Sequence, residues 1–306
     1  MNTIRLMSLM LLLLIISSCK NDDNGPESIP PRDLGEVALE NEDEITAYLQ
    51  THFYNYDEFD VPPADFDYRI VLDTIEGVNA GRTPLIDQVS SRVIIVEDSD
   101  GNEVEHTLYY LVARQGVGEN PTVADSALVR YSGSLLNGSQ FDSSNVPIWF
   151  DLALIQSPPG GALGATARGF AELAPELQTG NYTGDEDGLP VFENYGVGMV
   201  IMPSGLAYFS TARTGIPLYS PLIFKIDMLA RNDMDHDGDG IMSIDEDLNG
   251  NGYLLDDNSD GDTLPDYLDG DDDNDGTLTI NEYDEDGDGI PDDSDGDGIP
   301  DYLDND

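Results

Sequence analysis

Carboxylates are the most regularly spaced reactive groups in this chain of 306 residues. In Asp235 to Glu246 (DHDGDGIMSIDE) and Asp271 to Glu282 (DDDNDGTLTINE), acids stand at positions 1, 3 and 5, glycine at 6 and glutamate at 12 of a twelve-residue unit. That spacing suits calcium, which takes hard oxygen ligands around a sharp turn, a backbone carbonyl at position 7 and a bidentate carboxylate last. The candidate ligands are Asp235, Asp237, Asp239, Ile241 (carbonyl) and Glu246 in one unit, and Asp271, Asp273, Asp275, Thr277 (carbonyl) and Glu282 in the other. Two further units, Asp284, Asp286, Asp288 and then Asp293, Asp295, Asp297, repeat the start of the pattern but carry proline at position 8. Asn258 to Asp269 and Asp293 to Asp304 agree at 9 of 12 positions, which marks an internal repeat rather than acidic bias alone.

These units sit in a segment with no counter-charge of its own. From Asn232 to the end there are 29 Asp/Glu and no Lys or Arg, so the tail supplies −29 of the net −50. Such a chain repels itself into an extended form unless cations neutralise it, and it does not bind nucleic acid, which needs clustered Lys and Arg. Calcium is therefore expected as a structural ion, at the roughly 10⁻⁴–10⁻³ M affinity of extracellular modules. The stretches between units lack a helical period, and proline removes an amide donor. The tail resembles thrombospondin type 3 repeats more than paired EF-hands.

Upstream, the pattern changes to a mixed helix and strand domain. Asn41 with Glu44 predicts a helix start, and Ile45, Leu49 and Phe53 continue it over about 42–53. Arg92 to Glu97 and Val104 to Arg114 flank a turn-rich Asp98 to Asn102, a hairpin signal, and a third strand runs from Ala127 to Ser132. Ala127 to Ser144 (ALVRYSGSLLNGSQFDSS) is similar to the V-x-Y-x-G-x-L-x-x-G-x-x-F-D-S-S signature of FKBP-type peptidyl-prolyl isomerases. Arg168-Gly169-Phe170 and Val200 to Leu229 follow in that family's order, so the resemblance spans about residues 120 to 230.

The resemblance implies a pocket and an activity that needs no nucleophile or cofactor. Rotation about an X–Pro bond meets a barrier of about 18–20 kcal/mol because resonance keeps the amide planar. A catalyst has only to favour the twisted amide, by desolvating its carbonyl and holding the proline ring against aromatic faces. By motif position the pocket comprises Tyr131, Phe141, Asp142, Phe170 as floor, Tyr208 as donor to the peptide carbonyl, Ile216 and Phe224; Ile148 falls where an aromatic is usual. Asp142 is expected to orient rather than transfer a proton, and Trp149 to serve as packing. Phe170 replaces the family's Trp, Thr166-Ala167 its Val-Ile, and Phe209 a common Gly, while about 180–198 reads as an inserted loop. These departures leave a non-catalytic, peptide-binding or adhesion module as the alternative.

At the other end, Arg5 precedes an apolar run, Leu6 to Ile16, too short to span a bilayer. Ile16-Ser17-Ser18-Cys19 resembles the lipobox of bacterial lipoproteins, which implies cleavage before Cys19, its acylation, and anchoring to the outer membrane. Asp22-Asp23 is similar to the surface-export signals of some lipoproteins. Cys19 is the one cysteine, so no disulfide forms within the chain.

The sequence thus predicts an α+β fold, an FKBP-like antiparallel sheet wrapped around a short helix, followed by a calcium-ordered tail with little regular secondary structure. Its parts are a signal peptide (1–18), a lipidated tether (19–40), a helix and strands packed on the isomerase domain (41–118), the isomerase domain (119–231) and the repeats (232–306). Proline-containing polypeptides and the membrane are the expected partners. No G-x-S-x-G or H-E-x-x-H motif is present, and His52, His106 and His236 show no cluster spacing, so hydrolase chemistry finds no support.

Overall fold

A computed structural model describes residues 30–157, 161–162, 164, 166–184 and 190–305. Cys19 and the signal-like run lie outside the described residues. None of the described helices is long and apolar enough to cross a membrane.

The fold is mixed, with one dominant antiparallel sheet. Its strands are β1 (Ser90–Glu97), β2 (Glu103–Arg114), β3 (Ser126–Leu135), β4 (Gln140–Asp151), β5 (Gly196–Met202) and β6 (Leu222–Asn232). They lie in the order β1-β2-β5-β6-β3-β4. Every neighbouring pair is antiparallel. β5 reads GVGMVIM and is buried at all seven positions, as a central strand covered on both faces must be. On one face Val200 and Met202 join Phe224 and Met228 against the short helix α2 (Arg168–Leu173). On the other, Val197, Met199 and Ile201 join Tyr109 and Leu111 against helix α1 (Leu34–Thr51).

α1 starts at Leu34, earlier than the Asn41 start predicted from spacing. Asp33 caps it, its Oδ1 accepting from Glu36 N at 2.8 Å. Asn41 interrupts the apolar stripe of Leu34, Val37, Ile45 and Leu49 for a reason the stripe conceals. It is buried, accepts from Ser204 N at 2.8 Å and donates to Tyr219 O at 3.0 Å. One side chain thereby ties α1 to two points of the loop between β5 and β6.

Beyond β6, the described residues hold only short 3-10 turns, at Leu254–Asp256, Asp266–Leu268, Thr279–Asn281 and Asp301–Leu303. The tail nonetheless packs on the sheet domain. Leu254 and fully buried Tyr267 cluster with Ala124 and Ala153, and the Tyr267 hydroxyl donates to Ala153 O at 3.4 Å. His236 Nε2 meets Asp151 Oδ2 at 3.2 Å. Arg231, at the end of β6, pairs with Asp125 at 3.0 Å, with Glu119 at 2.6 Å and with Asp233. Arg168 hydrogen-bonds Ile95 O on edge strand β1 at 3.2 Å, and its guanidinium lies 4.1 Å from the ring centre of Tyr253.

Replacing Asn41 by Ala leaves the buried Ser204 amide and Tyr219 carbonyl without partners. Urea denaturation of Asn41→Ala is expected to show a loss of about 1–3 kcal/mol.

Candidate functional site

The pocket is built from aromatic rings on three adjoining strands and a helix. Phe170, the third residue of α2, is 2 % exposed and forms the floor. Phe224 of β6 meets it edge-on at 5.5 Å, and Phe141 of β4 meets Phe224 edge-on at 5.5 Å. Tyr131 of β3 stands 6.4 Å from both Phe170 and Phe224. Gly133 makes this closeness possible: a Cβ there would lie 2.5 Å from the Phe141 ring and 2.9 Å from Phe224.

The rim carries the polar groups. The Tyr131 hydroxyl donates to Asp142 Oδ2 at 2.6 Å, and Asp142 Oδ1 accepts from Ser143 N at 2.8 Å. With both oxygens engaged, Asp142 is held as an acceptor that fixes the phenol. Burial, reinforced by that carboxylate, pushes the Tyr131 phenol well above the usual tyrosine range; burial likewise raises the Tyr208 phenol, so both keep their protons. Arg213 lies 4.9 Å from the centre of the Tyr208 ring and donates to Gln156 Oε1 at 2.6 Å.

Tyr131, Phe141, Asp142, Phe170, Tyr208, Ile216 and Phe224 line one cavity of about 440 Å³. Ile148 is a correction: it is 42 % exposed and absent from the lining, while Phe150 takes its place, 5.0 Å from Phe170 and 5.2 Å from Tyr131. The β3–β4 register shifts between Val129, opposite Ile148, and Tyr131, opposite Ser144, so 145–147 leave the ladder and the edge strand bends there. Past the bend, the larger ring fills the wall. Trp149, expected as packing, is 46 % exposed.

Sequence reasoning also left Arg213 and Thr214 unassigned, although both line the cavity with Thr166 and Ala167. Phe150 was detectable by strand alternation, two residues on from Ile148; Arg213 left no pattern in sequence. Phe209 and the described residues of about 180–198 do not line the pocket. Phe209 is 4 % exposed and packs edge-on against Tyr219 at 5.0 Å. Its φ of 44° is the left-handed conformation for which glycine is the easy choice, and here the buried ring offsets the strain. The insertion forms a hairpin, Asn181–Gly184 with Pro190–Glu193, and its described residues contribute nothing to the lining.

In the tail the acids at positions 1, 3 and 5 converge. Carboxylate oxygens of Asp235, Asp237 and Asp239 lie within 4.8 Å of one another, as do those of Asp271, Asp273 and Asp275, and of Asp284, Asp286 and Asp288. Each loop is shaped by its own first and third acids. Asp235 Oδ1 accepts from Gly238 N at 2.7 Å, Asp284 Oδ1 from Gly287 N at 2.8 Å, and Asp293 Oδ1 from Gly296 N at 2.8 Å. Asp295 and Asp297 accept from the amides of Asp297 and Ile299 in turn. Gly238 and Gly240 turn at φ 80° and 103°. Asp260, Asp262 and Asp269 form a further trio that the spacing argument did not assign.

Some of these oxygens are buried without a donor, including Oδ2 of Asp237, Asp239 and Asp273 and Oδ1 of Asp271. Burial, with Asp239 and Asp235 nearby, pushes Asp237 up to about 7; burial and the acids of its own loop push Glu282 up to about 7. Hard, converging, unpartnered oxygens are what a calcium ion takes, so the residues fit that ion.

A family model described as BamM C-terminal matches residues 236–289, within the repeats. The FKBP-type peptidyl-prolyl cis-trans isomerase FkpA of Aeromonas hydrophila is 26 % identical over 209 residues, 67 % of this chain and 63 % of that protein. FkpA of Escherichia coli K12 is 28 % identical over 125 residues, 40 % of this chain and 37 % of that protein. The crystal structure of E. coli FkpA aligns over 64 % of this chain and 62 % of its own at 21 % identity, with a TM-score of 0.33. The chain thus spans less than two thirds of the length of these relatives, and it is distantly similar to FKBP-type peptidyl-prolyl isomerases.

The contact at Gly133 generates a direct test. Gly133→Ala forces Phe141 and Phe224 apart, with an expected cost of about 1–3 kcal/mol in denaturant melts. Titration with a proline peptide, followed by chemical shifts of the pocket aromatics, is expected to show weakened binding even where the variant remains folded.

Proposed function

We propose that this chain is a peptidyl-prolyl cis-trans isomerase of the FKBP type, anchored through lipidated Cys19 at the bacterial outer membrane and carrying a calcium-binding tail. The observation that supports the activity most is the single cavity formed by Tyr131, Phe141, Phe150, Phe170, Phe224 and Ile216, with its polar groups confined to the rim. A proline ring seated on Phe170 would be enclosed edge and face by aromatic carbons. Its preceding carbonyl would leave water for that apolar wall, which disfavours the planar amide, in which oxygen carries most charge, relative to the twisted one. Tyr208, kept protonated by burial, donates to the peptide carbonyl and holds the chain in register. Asp142 works through Tyr131, whose ring it fixes.

The alternative, a binding module without turnover, rests on the departures at Phe170, Thr166-Ala167, Phe209 and the inserted loop, of which Phe170, Thr166 and Ala167 line the cavity. Neither Phe209 nor the described residues of the inserted loop line the cavity. Proline-containing polypeptides remain the proposed substrates under both readings, and surface display is proposed from Asp22-Asp23.

A protease-coupled assay on a proline tetrapeptide is expected to show kcat/KM reduced about tenfold or more in Phe170→Ala and Tyr208→Ala, each tenfold corresponding to about 1.4 kcal/mol of transition-state stabilisation. Asp142→Ala should fall less. Equal rates in wild type and all three variants would end the catalytic reading. Because Tyr131 and Tyr208 lose their protons only above the ordinary tyrosine value of 10, turnover should not decline as pH rises from about 7 to 9. For the tail, circular dichroism with calcium and after chelation should differ, and identical spectra would remove the calcium proposal.

A further inference from the structure

The acids discussed so far each serve their own loop. Asp272 does not. It occupies the second position of the unit that begins at Asp271, a position the calcium spacing leaves unused. Its carboxylate reaches out of that unit to oxygens of Asp239 and Glu246 in the first loop, all within 4.8 Å. Glu246 and Asp272 are each 2 % exposed and Asp239 is 4 % exposed. Both oxygens of Glu246, both of Asp272 and Oδ2 of Asp239 have no hydrogen-bond donor. Asp239 Oδ1 is already held by Ile241 N at 2.7 Å.

Buried carboxylates of this kind need a counter-charge, and no Lys or Arg follows Asn232 to provide one. We propose that Asp239, Glu246 and Asp272 form a seat for one divalent cation shared between two repeat units, with Asp272 as the ligand supplied from outside the first loop. The proposal rests on the calcium reading of the tail and adds to it a site that joins units rather than filling one. Calcium suits the seat better than magnesium, which holds several of its waters and is reluctant to enter an all-carboxylate, buried site.

The second position has the same use elsewhere in the tail. In the first loop it is His236, whose ring reaches back to Asp151 at 3.2 Å at the end of β4. The first loop is thus bound to the sheet by its second residue, and the unit from Asp271 is bound to the first loop by its own. A cation in the shared seat closes the chain of contacts from sheet to tail and holds Tyr267, which lies between the two units in sequence, against His236 at 5.4 Å.

The experiment uses the full chain as wild type, Asp272→Asn, Glu246→Gln and Glu285→Gln, the last at the exposed second position of an outer unit. Bound calcium is counted by native mass spectrometry, and Tm is measured in calcium and in EGTA. Asp272→Asn and Glu246→Gln are expected to bind one ion fewer than wild type and to lose much of the calcium-induced rise in Tm. In EGTA, Asp272→Asn should melt above wild type, since one of three crowded like charges is gone. Glu285→Gln should keep both the ion count and the rise. An unchanged ion count in Asp272→Asn, with wild type binding calcium, overturns the shared seat alone and indicates acids neutralised by protons; a wild type that binds no calcium overturns the calcium reading with it.

Discussion

The architecture follows from one requirement, that a single antiparallel sheet be kept dry on both faces. β5 has no polar side chain and no exposed position, so neither face can be left to water. α2 covers one face and α1 the other, and α1 is fastened to the loop between β5 and β6. Asn41 of α1 holds Ser204 and Tyr219, while the residues between them include Tyr208, Arg213 and Ile216 of the pocket. The helix far from the cavity therefore sets the position of its rim.

The pocket itself is a place where the core was left incomplete. Phe170 and Phe141 each meet Phe224 edge to face as core rings do, and Gly133 withholds the side chain that would have filled the space between strands. An apolar hollow with no buried nucleophile suits a reaction in which no covalent bond is made or broken. The tail obeys the opposite logic: its interior is composed of carboxylates, and its shape comes from backbone amides that point at those acids.

Seven of the eight residues assigned by motif position line the cavity, because the strand, turn and helix that carry them are short and regularly spaced. Ile148 failed since a register shift in β4 cannot be read from residue types; Phe150, on the same strand face, took the wall. The early start of α1 was hidden by Asn41, a polar residue within an apolar stripe that finds its partners in a distant loop. Phe209 looked like an obstruction because a bulky residue stood where glycine is common, and only the backbone showed the ring turned inward onto Tyr219. Asp272 escaped for a related reason: loop spacing describes ligands within a unit and is silent about a side chain that leaves it. In each case a tertiary contact decided the role of a residue that local pattern had described correctly as to type.

Arg168 carries a final consequence. Edge strand β1 exposes Val93 and Ile95, the kind of free border onto which another extended chain can add itself. The guanidinium of Arg168 occupies the Ile95 carbonyl and is itself backed by the Tyr253 ring of the tail. An extended chain aligned there would compete with that cation for the same oxygen. The arginine that opens the pocket helix thus takes up one backbone acceptor on the exposed border of the sheet, and it does so only while the tail holds Tyr253 against it.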